Sequence, residues 1–87
     1  MKIQISKFGN ILVSRPAGKD AFLTASAYIF KEHEKEFVLD FAGVEVLTPS
    51  WADEFIGGIK NKFKDAQIKF DNTLNPSVKE TLEIIKQ

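Results

Sequence analysis

Alternation of apolar and polar residues near the start of the chain predicts two short strands. Residues 2–6 alternate in the way that is typical of a half-buried strand. Residues 8–10 have the composition of a turn, and residues 11–13 are apolar. We expect the two strands to form an antiparallel hairpin. It should end at Pro16, because proline lacks the N–H donor that a sheet requires.

Three later stretches carry apolar residues at helical spacing. They cover residues 19–33, residues 50–64 and the segment that follows Asn75, where Asn75 is suited to cap a helix and Pro76 to begin it. The predicted buried faces consist of Phe22, Ala25, Ile29 and Phe30 in the first helix, Phe55, Ile59 and Phe63 in the second, and Val78, Leu82 and Ile85 in the third.

Two further strands are predicted between the helices. Residues 37–41 have apolar side chains on both faces, which is typical of a central strand covered by helices on each side. Residues 42–49 are predicted to form a loop, and residues 67–70 a fourth strand. The order ββαβαβα predicts one α/β domain over residues 1–87. Its sheet should be four-stranded, mixed and mainly parallel, with right-handed crossovers and three helices.

The composition limits the classes of function. Twelve basic and twelve acidic residues give a formal net charge of zero, so no positive excess is available to bind nucleic acid. The chain has no cysteine and one histidine, His33, so we expect neither a disulfide nor a metal site.

No apolar stretch is long enough to cross a membrane, and the first residues lack the apolar region of a signal peptide. We therefore expect a cytoplasmic protein without membrane partners. Zero net charge weakens the repulsion between copies, so we expect a monomer or a weak homodimer.

The junction between the predicted central strand and the second helix holds most of the candidate functional residues. Thr48 or Ser50 is suited to cap this helix, with a proline between them. Asp53 and Glu54 follow in the first turn, where negative charge is favourable. These residues either only begin the helix or also form a docking site for a partner. In the second case, Ser50 and Thr48 are candidate phospho-acceptors.

Trp51, the only tryptophan, directly follows the predicted cap. It either stands half-exposed as an interface anchor or folds back over the edge of the sheet, and we predict the anchor. Gly57 and Gly58 lie inside the predicted helix at a cost of about 1 kcal/mol each relative to alanine. This cost suggests a close approach to the sheet or to another protein.

Asp40 ends the predicted central strand. As half of a catalytic carboxylate pair it would need Asp53 or Glu54 as its partner, but a strand-end aspartate more often accepts hydrogen bonds from the adjoining loop. Open α/β sheets bind small ligands beyond the strand ends. A small-molecule or nucleotide sensor that uses a crevice near Asp40 and Ser50 is therefore an alternative function. We predict no catalytic residues and no cofactor.

Two segments, residues 37–44 and 48–55, resemble the STAS domains, the fold of bacterial anti-sigma factor antagonists. They are more similar still to the uncharacterised STAS-like family DUF4325, which residues 8–10 and 14–18 also resemble. The order of strands and helices fits this family over nearly the whole chain. The resemblance therefore implies a STAS-like α/β domain.

In antagonists of this type, the loop before the second helix reads Asp-Ser-Ser-Gly, and a kinase phosphorylates the first serine. Thr48, Pro49, Ser50 and Trp51 stand at these positions here, so a proline replaces the phosphorylated residue. The resemblance thus implies a regulatory protein-binding module that docks a partner through residues 48–59. It implies a partner similar to a histidine-kinase-like ATPase, and we expect no enzyme activity.

Overall fold

The computed structural model describes residues 1–86, and it confirms the α/β class with three α-helices. The strands are β1 (Lys2–Gln4), β2 (Ile11–Leu12), β3 (Glu36–Asp40), β4 (Val46–Leu47) and β5 (Gln67–Asp71). The helices are α1 (Arg15–Tyr28), α2 (Pro49–Lys62) and α3 (Pro76–Ile85), with a 3-10 helix at Ile5–Phe8. Within residues 1–86, no helix is long and apolar enough to span a membrane.

The strands form two parallel sheets instead of the one four-stranded mixed sheet that the sequence predicts. The larger sheet has the order β1-β3-β5, and β3 lies in its centre as predicted. In register, Leu39 of β3 lies between Ile3 of β1 and Phe70 of β5. The smaller sheet pairs β2 with β4 and aligns Leu12 with Leu47.

The predicted hairpin between the first two strands is wrong. The 3-10 helix separates them, and β2 pairs with β4 instead of β1. The alternation of residues 2–6 does report burial, since Ile3 and Ile5 are both buried, but Ile5 reaches the core from the 3-10 turn. Gly9 ends that turn with a φ of 130°, in the region that favours glycine, and its N–H donates to the carbonyl of Ser6.

The segment predicted to be a loop contains β4, and α3 covers the edge of this strand. Leu47 donates its N–H to the hydroxyl of Ser77 at 3.0 Å. Its carbonyl accepts bonds from the hydroxyls of Ser77 at 3.2 Å and of Thr81 at 2.6 Å. Two side chains of α3 therefore satisfy backbone groups that another strand would otherwise bind.

The first helix begins earlier than its apolar spacing predicts, at Arg15 instead of Lys19. Ser14 caps it, since its hydroxyl oxygen accepts a hydrogen bond from the N–H of Ala17 at 3.2 Å. Pro16 lies in the first turn, where a missing N–H costs nothing. The proline that was expected to end a sheet therefore helps to begin a helix.

The start of the third helix agrees with the prediction, and the end of the first helix does not. The third helix begins as predicted, where the side-chain oxygen of Asn75 accepts from the N–H of Val78 at 3.2 Å. The first helix ends at Tyr28 instead of His33.

The core lies between the sheets and the helices. Leu39 of β3 and Ile59 of α2, both expected in the core, are completely buried. Three aromatic rings meet at one end of it, with centroid distances of 5.3 Å for Phe30–Phe37, 5.7 Å for Phe30–Phe63 and 5.0 Å for Phe37–Phe63. Of the predicted helical faces, Ala25, Phe55, Phe63, Val78 and Leu82 are also buried, whereas Phe22, Ile29, Phe30 and Ile85 are half-buried.

Helices α1 and α2 approach each other closely at two glycines. A Cβ atom on Gly18 would lie 2.6 Å from the carbonyl oxygen of Trp51, and one on Gly58 would lie 2.6 Å from the ring of Phe22. The close approach expected for the glycine pair is therefore to α1, and it concerns Gly58. Gly57 has more room, since its nearest neighbour would be Asp53 Oδ1 at 3.9 Å.

We expect Gly18→Ala to lower the free energy of unfolding by about 1–3 kcal/mol, because the methyl group would press against the backbone of α2. Gly57→Ala is the matched control and should raise the stability by about 0.5–1 kcal/mol, because alanine favours the helix and meets no obstacle. Urea unfolding followed by circular dichroism measures both. Equal effects of the two substitutions would contradict the packing described here.

Candidate functional site

Thr48 joins the start of α2 to the end of β2. Its hydroxyl oxygen accepts from the N–H of Trp51 at 3.4 Å, so Thr48 and not Ser50 is the cap of the helix. The same hydroxyl lies 2.9 Å from the carbonyl oxygen of Val13 and 3.3 Å from that of Leu12, to which it donates. The hydroxyl of Thr48 is therefore already engaged by the backbone.

Ser50 lies one residue into α2, is half-buried, and forms no side-chain hydrogen bond with residues 1–86. It lines a cleft between the start of α2 and the end of α3. The other lining residues are Arg15, Pro49, Asp53, Ile84 and Ile85. Of the two candidate phospho-acceptors, Ser50 is thus the one whose hydroxyl is not occupied.

An ion cluster links the starts of α1 and α2. Arg15 Nη1 lies 3.2 Å from Asp53 Oδ2 and 3.6 Å from Glu54 Oε2. The three side chains are 53%, 61% and 30% exposed, so each pair contributes at most about 1 kcal/mol to stability. Arg15 was not among the predicted site residues, because its position depends on the early start of α1.

The two carboxylates also lie at one end of a groove between α1 and α2, with a volume of about 370 Å³. The remaining lining residues are Lys19, Phe22, Leu23, Gly57, Gly58 and Asn61. Leu23 is 52% exposed and Phe22 half-buried, so the groove combines an apolar wall with an acidic end. The predicted site on α2 therefore extends onto α1.

The expectation that Trp51 stands half-exposed as an interface anchor is wrong. The side chain is 2% exposed and stacks on Phe55 at 5.1 Å between ring centroids and 17° between planes. The ring of Phe8 lies 6.2 Å away. The reason is periodicity, since Trp51, Phe55 and Ile59 follow one another at four-residue steps and share the buried face of α2.

Asp40 accepts hydrogen bonds, as strand-end aspartates often do. Its Oδ1 accepts from the side-chain amide of Asn72 at 2.7 Å and from the N–H of Ala42 at 2.9 Å. These bonds, the amide of Asn72 above all, lower the pKa of Asp40 below its usual value. The Lys2 ammonium, 3.7 Å from Oδ2, adds to this, and the partial burial of the carboxylate opposes it.

The structure does not bring Asp40 together with the residues of α2. Asp53 and Glu54 contact Arg15, and Asp40 contacts Lys2, Ala42 and Asn72, so the carboxylate pair is not formed. Asp40 is not among the residues that line the Ser50 cleft, so the predicted common crevice is not formed either. Within residues 1–86, no three His, Cys, Asp or Glu side chains are arranged to hold a metal ion.

We expect Trp51→Ala to lower the free energy of unfolding by about 3–5 kcal/mol, because it leaves a cavity beneath α2. Trp51→Phe, which keeps a ring against Phe55, should cost much less. Circular dichroism must follow the unfolding, since the substitutions remove the only tryptophan fluorophore. An alanine variant as stable as the parent would show that the side chain is not part of the core.

Because folding lowers the pKa of Asp40, the carboxylate stabilises the fold fully above the ordinary aspartate pKa of about 4. That stability is lost as the pH falls through the lower pKa of the folded state. We therefore expect Asp40→Asn to be less stable than the parent at neutral pH, and the difference to shrink in acid.

Urea unfolding from about pH 7 down to about pH 2.5 tests this dependence. Asn72→Gly is the control, because glycine accepts the φ of 56° at this position while removing the amide donor. This substitution should weaken the pH dependence of the unfolding free energy without abolishing it, because the N–H of Ala42 still donates to Asp40. A constant difference between Asp40→Asn and the parent at every pH would contradict the assignment.

Comparison with known proteins gives one family. The sequence pattern of the DUF4325 family, described as a STAS-like domain of unknown function, matches residues 25–78. This range includes β3, β4, α2 and β5, and therefore Asp40 and the start of α2. No curated protein and no solved structure matches the chain. The resemblance inferred from residues 37–55 is confirmed, and the chain belongs to the DUF4325 family of STAS-like domains.

Proposed function

We propose that this STAS-like domain is a cytoplasmic regulatory module that binds a partner protein through residues 48–59 and catalyses no reaction. The observation that supports the proposal is the arrangement at the start of α2. Ser50, Asp53 and Glu54 lie on one accessible side of the helix, and both carboxylates open onto the groove between α1 and α2.

The chemistry of the groove indicates what the partner presents. An apolar side chain would pack against Phe22 and Leu23, while a lysine or arginine would meet Asp53 and Glu54. Gly57 leaves the backbone of α2 accessible, which allows a partner helix or loop to approach closely. By analogy with the antagonists that the sequence resembles, this partner is similar to a histidine-kinase-like ATPase.

Ser50 is the proposed control point of this surface. A phosphate on its hydroxyl would add about −1.5 to −2 charges beside Asp53 and would compete for Arg15 in the same cleft. Arg15 at present neutralises part of the charge of Asp53 and Glu54. Drawing it away would make the acidic end of the groove more negative and would alter binding.

The proposal predicts that a photo-crosslinking amino acid at position 50 or 54 captures one and the same protein in the native host. The same amino acid at Glu83, an exposed position on α3, is the control and should not capture it.

The captured protein, expected to be the proposed ATPase, is then purified and serves as the partner in affinity measurements. We expect Asp53→Lys to raise its Kd about tenfold, or about 1.4 kcal/mol, because the new ammonium repels the cationic side chain of the partner. Ser50→Asp should lower the Kd, because it makes the acidic end of the groove more negative.

Glu80→Lys makes the same change of charge on the exposed side of α3 and should bind as the parent does. All variants are first compared by thermal unfolding, so that a folding defect is not mistaken for lost binding. Equal capture from positions 54 and 83, or an affinity that Asp53→Lys leaves unchanged, would refute the proposed surface.

A further inference from the structure

Arg15 pairs with the carboxylates that form the acidic end of the groove. Its Nη1 lies 3.2 Å from Asp53 Oδ2 and 3.6 Å from Glu54 Oε2, and both carboxylates line the groove between α1 and α2. A basic side chain of a partner would bind the same two carboxylates. Arg15 therefore supplies, from within the chain, the positive charge that a partner would bring.

Asp53 is shared by two concavities. It lines the groove together with Phe22 and Leu23, and it also lines the cleft together with Ser50 and Arg15. Arg15 therefore reaches this carboxylate from the cleft side, while the groove side stays open to a partner. The two cations compete for the negative charge of Asp53 and not for the same space.

The ion pairs of Arg15 are exchangeable, although the helix that carries Arg15 is held in place. All three side chains are partly exposed to solvent, and exposed ion pairs are weak. The backbone is fixed by the cap at Ser14 and by the contact of Gly18 with Trp51. The guanidinium can therefore leave the carboxylates by rotation of its own side chain, while the starts of α1 and α2 keep their positions.

A negative charge at position 50 would offer the guanidinium another partner. Ser50 lines the same cleft as Arg15, and its hydroxyl forms no hydrogen bond within residues 1–86. A guanidinium binds the oxygens of a carboxylate or a phosphate in pairs. An anion at this position would therefore draw Arg15 into the cleft and away from the acidic end of the groove.

We propose that Arg15 is a built-in competitor that lowers the affinity of the groove for cationic partners, and that a negative charge at position 50 relieves this inhibition by drawing Arg15 away. The inference rests on the proposed function, because it assigns the regulation of the same surface. In the resting protein the charge of Asp53 and Glu54 is partly neutralised. The groove reaches its full negative charge only when Arg15 leaves.

Lys19 provides the matched control. It lies one turn further along α1 and lines the groove, and within residues 1–86 it forms no ion pair with a carboxylate. Lys19→Gln removes the same charge from the same helix as Arg15→Gln, but it releases no paired carboxylate. An effect that occurs at position 15 alone is therefore competition for the carboxylates and not a change of net charge.

Binding of n-hexylammonium, followed by NMR shifts of the backbone amides, tests the competition. Its chain suits the wall at Phe22 and Leu23, and its ammonium suits the acidic end. We expect Arg15→Gln to lower its Kd about three- to fivefold and Lys19→Gln to change it less than about twofold. An ammonium that binds Arg15→Gln no more tightly than the parent, or equal gains from both substitutions, overturns the proposal.

The same probe tests the effect of charge at position 50. Ser50→Asp should lower the Kd about threefold in the parent and less than about twofold in Arg15→Gln, which has no guanidinium to release. Ser50→Asn, similar in size and uncharged, should have no effect. Equal gains from Ser50→Asp in both backgrounds overturn the role of Arg15. The spectra also show that each variant is folded. These tests use no partner protein, so they can fail while the capture of the proposed ATPase succeeds, and the reverse.

Discussion

The contact between Gly18 and the backbone of Trp51 determines how the candidate site is built. Because no side chain intervenes, the first turn of α1 lies directly against the first turn of α2. Trp51 stacks on Phe55 beneath this contact, which holds the start of α2 on the core. Arg15 then comes within reach of Asp53, and the acidic end of the groove forms.

A hydroxyl at the start of α1 and another at the start of α2 support the same arrangement. Ser14 caps α1, and Thr48 caps α2 while donating to the carbonyls that end β2. The bonds that Thr48 donates to these carbonyls are important for the fold, because they attach α2 to a strand of only two residues. They also leave Thr48 unsuited to modification, since adding a group to its hydroxyl would disrupt these bonds. A docking surface with Ser50 as its control point is consistent with this division between the two hydroxyls.

The carboxylate of Asp40 and the carboxylates of α2 have separate roles. Asp40 at the end of β3 holds the following loop through Ala42 and the end of β5 through Asn72. These bonds connect neighbouring strand ends, which explains a carboxylate at a position that is almost fully covered. Among the candidate site residues, the accessible carboxylates are those of α2, next to the groove. The structural carboxylate of Asp40 and the candidate docking carboxylates of Asp53 and Glu54 are therefore located on different elements.

The sequence by itself determined the class of fold, the central position of β3 and the existence of three helices, because the pattern of apolar residues reports burial directly. The resemblance of residues 37–44 and 48–55 to known domains gave the family. It also located Ser50, Asp53 and Glu54 at a helix start through capping patterns. The tertiary structure alone decided the pairing of β2 with β4, because two-residue strands carry no periodicity. It also decided the burial of Trp51, the early start of α1 and the place of Arg15. Each of these depends on which surface packs against which, and local spacing does not contain that information.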